Sequence, residues 1–311
     1  MRRKTVVRAA FLLVAVALLI VTVVRERDAI GAALGRLDPW SVVISAAALL
    51  IGLLAQMLSW RSLFAGGEAD VPPLRTAGRI YFVGQLGKYV PGSVWALIAQ
   101  AELGKDHRIS RARSAVVALG ALMVLVVVGG TIGAAGLAAG SAGSLRTYWW
   151  ALLAVPVGLT VLWPPVFNRL VALGLRAARR SGPAPTISGR ALLRSSGWAV
   201  VMWLAFGAHA WFLAAPLGAA GPRDLATVVG AFALAWVVGF LVVVAPAGAG
   251  PREAALILAL APVMGSADAL VVALVSRALM VLGDGVAALV FARRHRVATA
   301  PAGRPGTPAD D

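Results

Sequence analysis

The sequence predicts an all-α fold: a polytopic helical bundle in a membrane, with two helices broken by proline and glycine. Three observations predict it. The 311 residues are 60% hydrophobic and only 14% charged, with a mean hydropathy of +0.85, which leaves no polar coat for a soluble domain. The apolar residues come in runs of about 20, the length a helix needs to cross a bilayer. Two of these runs are interrupted by Pro/Gly clusters.

The net charge of +16 is spread between the apolar runs rather than gathered in one basic domain. That placement fits cytoplasmic loops facing anionic headgroups, and it argues against nucleic acid as a partner. There is no cysteine and there are three histidines, so disulfides, thiolate sites and a histidine metal centre are not expected. No cofactor and no catalytic residue set is expected either.

Met1-Arg2-Arg3-Lys4 precedes the run Ala9–Val24. Arg25-Glu26-Arg27-Asp28 follows it instead of a small-residue cleavage site, which predicts a retained first helix with a cytoplasmic N-terminus. Residues 25–38 read as an outer loop. Trp40–Trp60 is the second helix, with tryptophan anchors at both ends. A polar stretch, Arg61–Arg79, contains Gly66-Gly67 and Pro72-Pro73. The apolar segment Ile80–Gln100 is broken by Gly84, Gly87, Pro91 and Gly92, and a basic loop spans Glu102–Arg113.

Further spans read as Ser114–Gly140, Tyr148–Phe167, Gly197–Pro216 and Leu225–Val244. Between Phe167 and Ser195 lie Arg169, Arg176, Arg179, Arg180, Arg190 and Arg194 without an acidic residue, the strongest positive-inside signal in the chain. A second break, Pro246 to Pro251, leads into a short helix, Arg252–Met264, and the last helix is Ala269–Ala292. The membrane domain is thus 1–292, and 293–311 is a Pro/Gly-rich cytoplasmic tail expected to be disordered. About eight crossings result, with Arg252–Met264 completing one and Ile80–Gln100 entering and leaving on the cytoplasmic side.

The two breaks are the features a plain bundle does not need. Proline removes a backbone donor and glycine permits turns that free others. Such groups cannot face lipid, so they line an enclosed cavity or a ligand. Matching interruptions in two halves point to a midplane binding site. Lys88 and Arg252 sit on the breaks, and restarting helices add their positive N-terminal ends. An anionic headgroup suits such a site, although snorkelling charges at helix ends would look the same in sequence. Glu253 has three readings: N-terminal cap, partner of Arg252, or contact for a cationic group.

Intramembrane charges are costly and usually functional. Arg277 and Asp284 share a face of the last helix, two turns apart, and Glu253 is the preferred partner of Arg277. His209 and Asp284 are the candidates for a proton relay. For His209, Gln56 and Gln100, hydrogen-bonded packing between helices is the simpler role.

At the breaks the chain resembles the lysylphosphatidylglycerol synthase transmembrane family, the flippase-like domain also found in multiple peptide resistance factors. Gly84-Gln85-Leu86-Gly87-Lys88-Tyr89-Val90-Pro91-Gly92-Ser93-Val94-Trp95 is similar to the family's G-x-x-x-K-Y-x-P-G-x-x-W pattern. Pro246-Ala247-Gly248-Ala249-Gly250-Pro251-Arg252-Glu253 is similar to P-G-G-x-G-x-R-E, and Arg277 stands where the family usually has an arginine. The chain departs from the pattern at Ala247, Pro251 and Asp284.

The resemblance implies a multi-pass protein of the bacterial inner membrane that handles an aminoacylated phospholipid or a glycan-linked lipid. Its binding residues would be Lys88, Tyr89, Pro91, Gly92, Gly248, Gly250, Arg252, Glu253 and Arg277. The synthase reaction is not expected, because only a short tail follows Ala292, and a separate lipid-synthesising transferase is the implied partner. A lipid flippase or headgroup transporter is therefore the leading function. A membrane-embedded lipid transferase or hydrolase, with Glu253, Asp284 and His209 as acid and base, is the alternative; a scaffold for lipid synthesis is the third reading. Reporter fusions at Ser181 and Asp311 should both read cytoplasmic, and a periplasmic signal at Asp311 would break the even crossing count.

Overall fold

The computed structural model describes residues 27–65, 71–89, 95–105, 107, 109–140, 153–177, 185–242 and 248–292. The expected first span Ala9–Val24, the breakpoints Pro91-Gly92 and Pro246-Ala247, and the tail 293–311 lie outside these residues. All regular elements among the described residues are helical. They begin with α1 (Arg27–Arg36), α2 (Pro39–Ser62) and α3 (Leu74–Gly78), which runs on through a π-helical turn, Arg79–Val83, and a 3-10 turn, Leu86–Tyr89. Then come α4 (Trp95–Lys105), α5 (Arg111–Ala139), α6 (Ala154–Leu162) and α7 (Pro164–Ala177). The chain closes with α8 (Gly189–Ala214), α9 (Gly221–Leu241), α10 (Pro251–Leu260) and α11 (Ser266–Ala292).

Among the described residues, five helices (α2, α5, α8, α9 and α11) are long and apolar enough to cross a membrane, and a sixth span results if α6 and α7 count as one bent element. The chain is a multi-pass helical bundle because helices satisfy their own backbone groups where no water can. Side chains secure the helix starts: Asp38 accepts from Ser41 N at 3.2 Å, Ser110 from Arg113 N at 3.1 Å and Ser188 from Ala191 N at 3.3 Å.

The centre of the bundle is the antiparallel pair α2 and α8, the most extensive helix contact. Near one end Ser45 Oγ meets His209 Nδ1 at 2.7 Å, and near the other Ser59 Oγ meets Ser195 Oγ at 3.0 Å. Ser45 and Ser59 are fourteen residues apart on α2, as Ser195 and His209 are on α8. Exchanging the two helices therefore maps this contact pattern onto itself. Each is followed by a broken hairpin and a long helix: α3 to α4 and then α5 in the first half, α9 to α10 and then α11 in the second. The cross-contacts match too, since α5 packs along α9 and α11 packs along the π-helical turn.

Each break turns the chain back on itself. In the first hairpin a Cβ on Gly84 would come within 3.2 Å of Gln100 N, and one on Gly87 within 2.7 Å of Ala96 N. Residue numbers rise on one arm as they fall on the other, so the arms run antiparallel with 90–94 between them. In the second, a Cβ on Gly239 would meet the Arg252 side chain at 2.7 Å. Gly248 and Gly250 make this reversal with φ of 73° and 92°, values costly for residues with a Cβ. The ten residues of α10 reach about 15 Å, half a hydrocarbon core.

Several expected boundaries move. Residues 25–38, read as a loop, contain α1, tied to α11 by an Arg36–Asp268 ion pair. The span Tyr148–Phe167 stops at Trp163, where α7 departs at 80°, because Pro164 and Pro165 offer no N–H to continue the ladder. In α7, Phe167 packs by Gly120 and a Cβ on Gly174 would touch Leu119, so both ends lie at one level of α5 and α7 crosses it. The arginine-rich stretch is thus partly helical, and α8 starts at Gly189 rather than Gly197, arginine being a good helix former.

Arg113, counted among loop charges, is 4% exposed. It donates to Thr186 O at 2.9 Å, Leu63 O at 3.0 Å and Phe64 O at 3.3 Å, binding the carbonyl-rich end of α2 to the start of α5. Along the opposite stretch, α5 and α9 touch backbone to backbone: a Cβ on Gly230 would come within 2.8 Å of Leu137 N. Gly230→Val should therefore cost about 1–3 kcal/mol through overpacking. Gly130→Ala, which meets nothing within 4 Å, should stay within about 0.5 kcal/mol. Thermal unfolding in detergent distinguishes them, and equal melting temperatures would refute the close helix contact.

Candidate functional site

One face of α11 collects the tips of both hairpins. Arg277, Met280 and Asp284 recur at helical spacing on that face. The first hairpin reaches it through Lys88 and Tyr89, the second through Arg252 and Glu253. The hairpins approach from opposite ends of α11. Phe82 stacks near Phe291 at 5.2 Å, so the first arm climbs from the C-terminal end, while α10 joins the N-terminal end through residues 261–265.

Asp284 is 3% exposed. Lys88 Nζ lies 2.6 Å from its Oδ2, and Tyr89 donates its hydroxyl to the same oxygen at 2.5 Å. The 3-10 turn places Lys88 and Tyr89 together, and Tyr81 on the preceding turn packs on Trp60 at 5.5 Å while its hydroxyl accepts from Gln85 at 2.9 Å. The π-helical turn widens the arm where the chain must leave the regular ladder.

Of its three sequence readings Glu253 fills the cap, and it is also the expected partner of Arg277. Its Oε2 accepts from Gly250 N at 2.7 Å, capping α10, and its Oε1 lies 3.3 Å from Arg277 Nη1. Its ion pair is with Arg277, not with Arg252, its neighbour in sequence. Arg252 is 8% exposed. Its guanidinium donates to Met280 Sδ at 2.8 Å and lies 5.0 Å from the Phe232 ring centroid. Among the described residues no oxygen accepts a hydrogen bond from it. The tips thus carry three cations, Lys88, Arg252 and Arg277, against two carboxylates, and Arg252 is the cation left without an anion.

His209 lies to one side, fully buried between α2, α8 and α11. Ser45 Oγ donates to His209 O at 2.9 Å. The ring's Nδ1 faces both Ser45 Oγ at 2.7 Å and Ser45 O at 3.2 Å, which only an Nδ1–H can satisfy. Nε2 is then the acceptor for Ser276 Oγ at 2.9 Å. Every polar group of this cluster is engaged, the arrangement of interhelical packing. Its ring touches Phe232 edge-on at 5.7 Å, which joins it to the Arg252 side.

Of the sequence-selected residues, Lys88, Tyr89, Arg252, Glu253, Arg277 and Asp284 converge on α11. Gly248 and Gly250 shape the second tip, Pro91 and Gly92 lie outside the described residues, and His209 sits apart. Sequence reading missed Met280 and Phe232, the apolar partners of Arg252, since neither differs in type from surrounding core residues. It also missed Ser45 and Ser276, for which a hydroxyl inside an apolar run was the available signal.

Arg277→Gln should lower stability by roughly 1.5–3 kcal/mol, the worth of a hydrogen bond to a charged group. Glu253→Gln keeps an acceptor for the cap and removes the ion pair. In a double-mutant cycle by thermal unfolding, the combined change should cost less than the two singles added. Strict additivity would show the pair to be uncoupled. The family described as lysylphosphatidylglycerol synthase TM region matches residues 7–287. A search of curated proteins finds no match.

Proposed function

Because the chain belongs to the lysylphosphatidylglycerol synthase transmembrane family, we propose that it is a lipid flippase or headgroup transporter. An anionic headgroup is bound between the two hairpin tips, by Lys88, Tyr89, Arg252 and Arg277 with the backbone at Gly248–Gly250. The single observation that carries this reading is Arg252. A buried guanidinium resting on a thioether and a ring is short of hydrogen-bond acceptors, and a phosphate would supply them bidentately.

The acyl chains need not enter. Leu282, Val286, Leu289 and Val290 on α11 are exposed, so the outer face of that helix is suited to lipid tails while its inner face meets the headgroup. The chain sits in a bacterial inner membrane with both termini cytoplasmic, and a separate transferase makes its lipid, an aminoacylated phospholipid or a glycan-linked lipid.

Arg252→Gln and Lys88→Gln should each stop lipid translocation in proteoliposomes. Loss of one ionised contact, roughly 1.5–3 kcal/mol, should weaken headgroup binding by about ten- to a hundredfold. Lys88→Arg should be milder, since the charge is kept. Fluorescence quenching of labelled phosphatidylglycerol reads the translocation, and normal rates in both glutamine variants would remove the anion site.

A further inference from the structure

Asp284 is a buried carboxylate at the meeting point of both hairpins. Its contacts with Lys88 and Tyr89 both fall on Oδ2. Oδ1 accepts no hydrogen bond among the described residues and is the atom open to a proton.

The charges around it are few and can be named. The first hairpin carries Arg75, Arg79, Tyr81, Lys88 and Tyr89, of which Lys88 and Tyr89 touch Asp284. From α10 come Arg252 and Glu253, and Arg277 lies on α11 itself. The one ionisable side chain of α2, Arg61, is held by Pro72 O at 2.7 Å. Arg36 of α1 is held by Asp268 at the far end of α11. On α8, His209 has both ring nitrogens committed to Ser45 and Ser276. Glu253 is likewise occupied by Gly250 N and Arg277.

An anionic headgroup at Lys88 and Arg252 would place a second negative charge beside Asp284 in a low-dielectric interior. Lys88 and Arg252 would both turn to the headgroup and Arg277 is already paired with Glu253, so Asp284 would lose its cation, and a buried carboxylate without one is favoured in its protonated form. We propose that Asp284 takes up one proton as the anionic headgroup binds, so that lipid and proton cross the membrane together. This rests on the headgroup-binding reading above. The proton passes from water to Oδ1, forming an O–H bond. Lys88 remains an ammonium group and exchanges the Asp284 carboxylate for a phosphate oxygen. When the headgroup leaves on the other side, Oδ1 gives up its proton and the Lys88–Asp284 pair re-forms. A lipid with one negative charge moves electroneutrally in this cycle, so a pH gradient drives it and a membrane potential does not.

The test uses the full chain in phosphatidylcholine vesicles carrying a trace of fluorescent phosphatidylglycerol and an internal pH dye. With acid outside, inward lipid movement should be accompanied by internal acidification, and headgroup affinity should rise by up to about tenfold per pH unit. A potassium diffusion potential should change neither. Asp284→Asn should lose the proton signal, and whatever lipid exchange it keeps should lose its pH dependence, while Asp284→Glu should restore both. Lipid movement without a proton signal in the unmodified protein overturns the coupling and leaves the transport reading standing. So does an Asp284→Asn variant that keeps both effects. Absence of lipid movement at every pH removes the transport reading, and the coupling with it. Should Asp284→Asn fail to fold, the proton signal of the unmodified protein decides alone.

Discussion

Both hairpin tips are held by the same eight residues of α11, from Arg277 to Asp284, and the geometry of the interior follows from that. A hairpin tip inside a bilayer has backbone groups that lipid cannot satisfy. Here each tip is fixed by an ion pair to one helix, Lys88 to Asp284 and Glu253 to Arg277. Each pair offsets a desolvation cost of several kcal/mol per ion, so neither is a cheap ornament. The result is a charged inner face on a helix whose other face is apolar. If α11 shifts by a turn relative to both hairpins, both pairs are re-registered at once.

The remaining packing keeps that helix in place. Ser276, one residue before Arg277, closes the His209 and Ser45 cluster and so ties α11 to the central α2 and α8 pair. Gly283, one residue before Asp284, lets Leu49 and Leu53 of α2 approach closely. Small residues and hydroxyls at these positions do in a membrane what apolar burial does in water, because lipid gives helices little reason to associate. At the other end of α2, Arg113 gathers the carbonyls of Leu63 and Phe64, bracing α5 against the same core.

The fold class and both breaks were legible in the sequence because they are written in local signals: run length, tryptophan anchors and Pro/Gly clusters. Lys88, Arg252, Glu253 and Arg277 were legible for the same reason, being charges on breaks or inside a span. The pairing of Lys88 with Asp284 was not, since 196 residues separate them and no periodicity links one hairpin to a distant helix. Nor were Phe232 and Met280, which are ordinary core residues until a guanidinium rests on them. Arg113 and α7 were misplaced by one cause: basic residues were taken as loop, whereas a buried arginine with three carbonyls, or one on an exposed helix face, has the same composition.

The antiparallel fit of α2 with α8 sets a parity rule on the chain. The first half ends with α5 beside the start of α9, where Gly140 approaches Thr227. The second half begins with Ser188 beside Ala65, at the end of α2. These lie on opposite faces of the bundle, so the segment between them must traverse it an odd number of times. Within the described part of that segment, α6 runs along α5 and α7 crosses it. Inserting or removing a single crossing there would deliver the second half upside down, its serines and His209 facing away from their counterparts, however well each helix was formed. The connector that carries none of the site's side chains is what lets the two halves recognise one another.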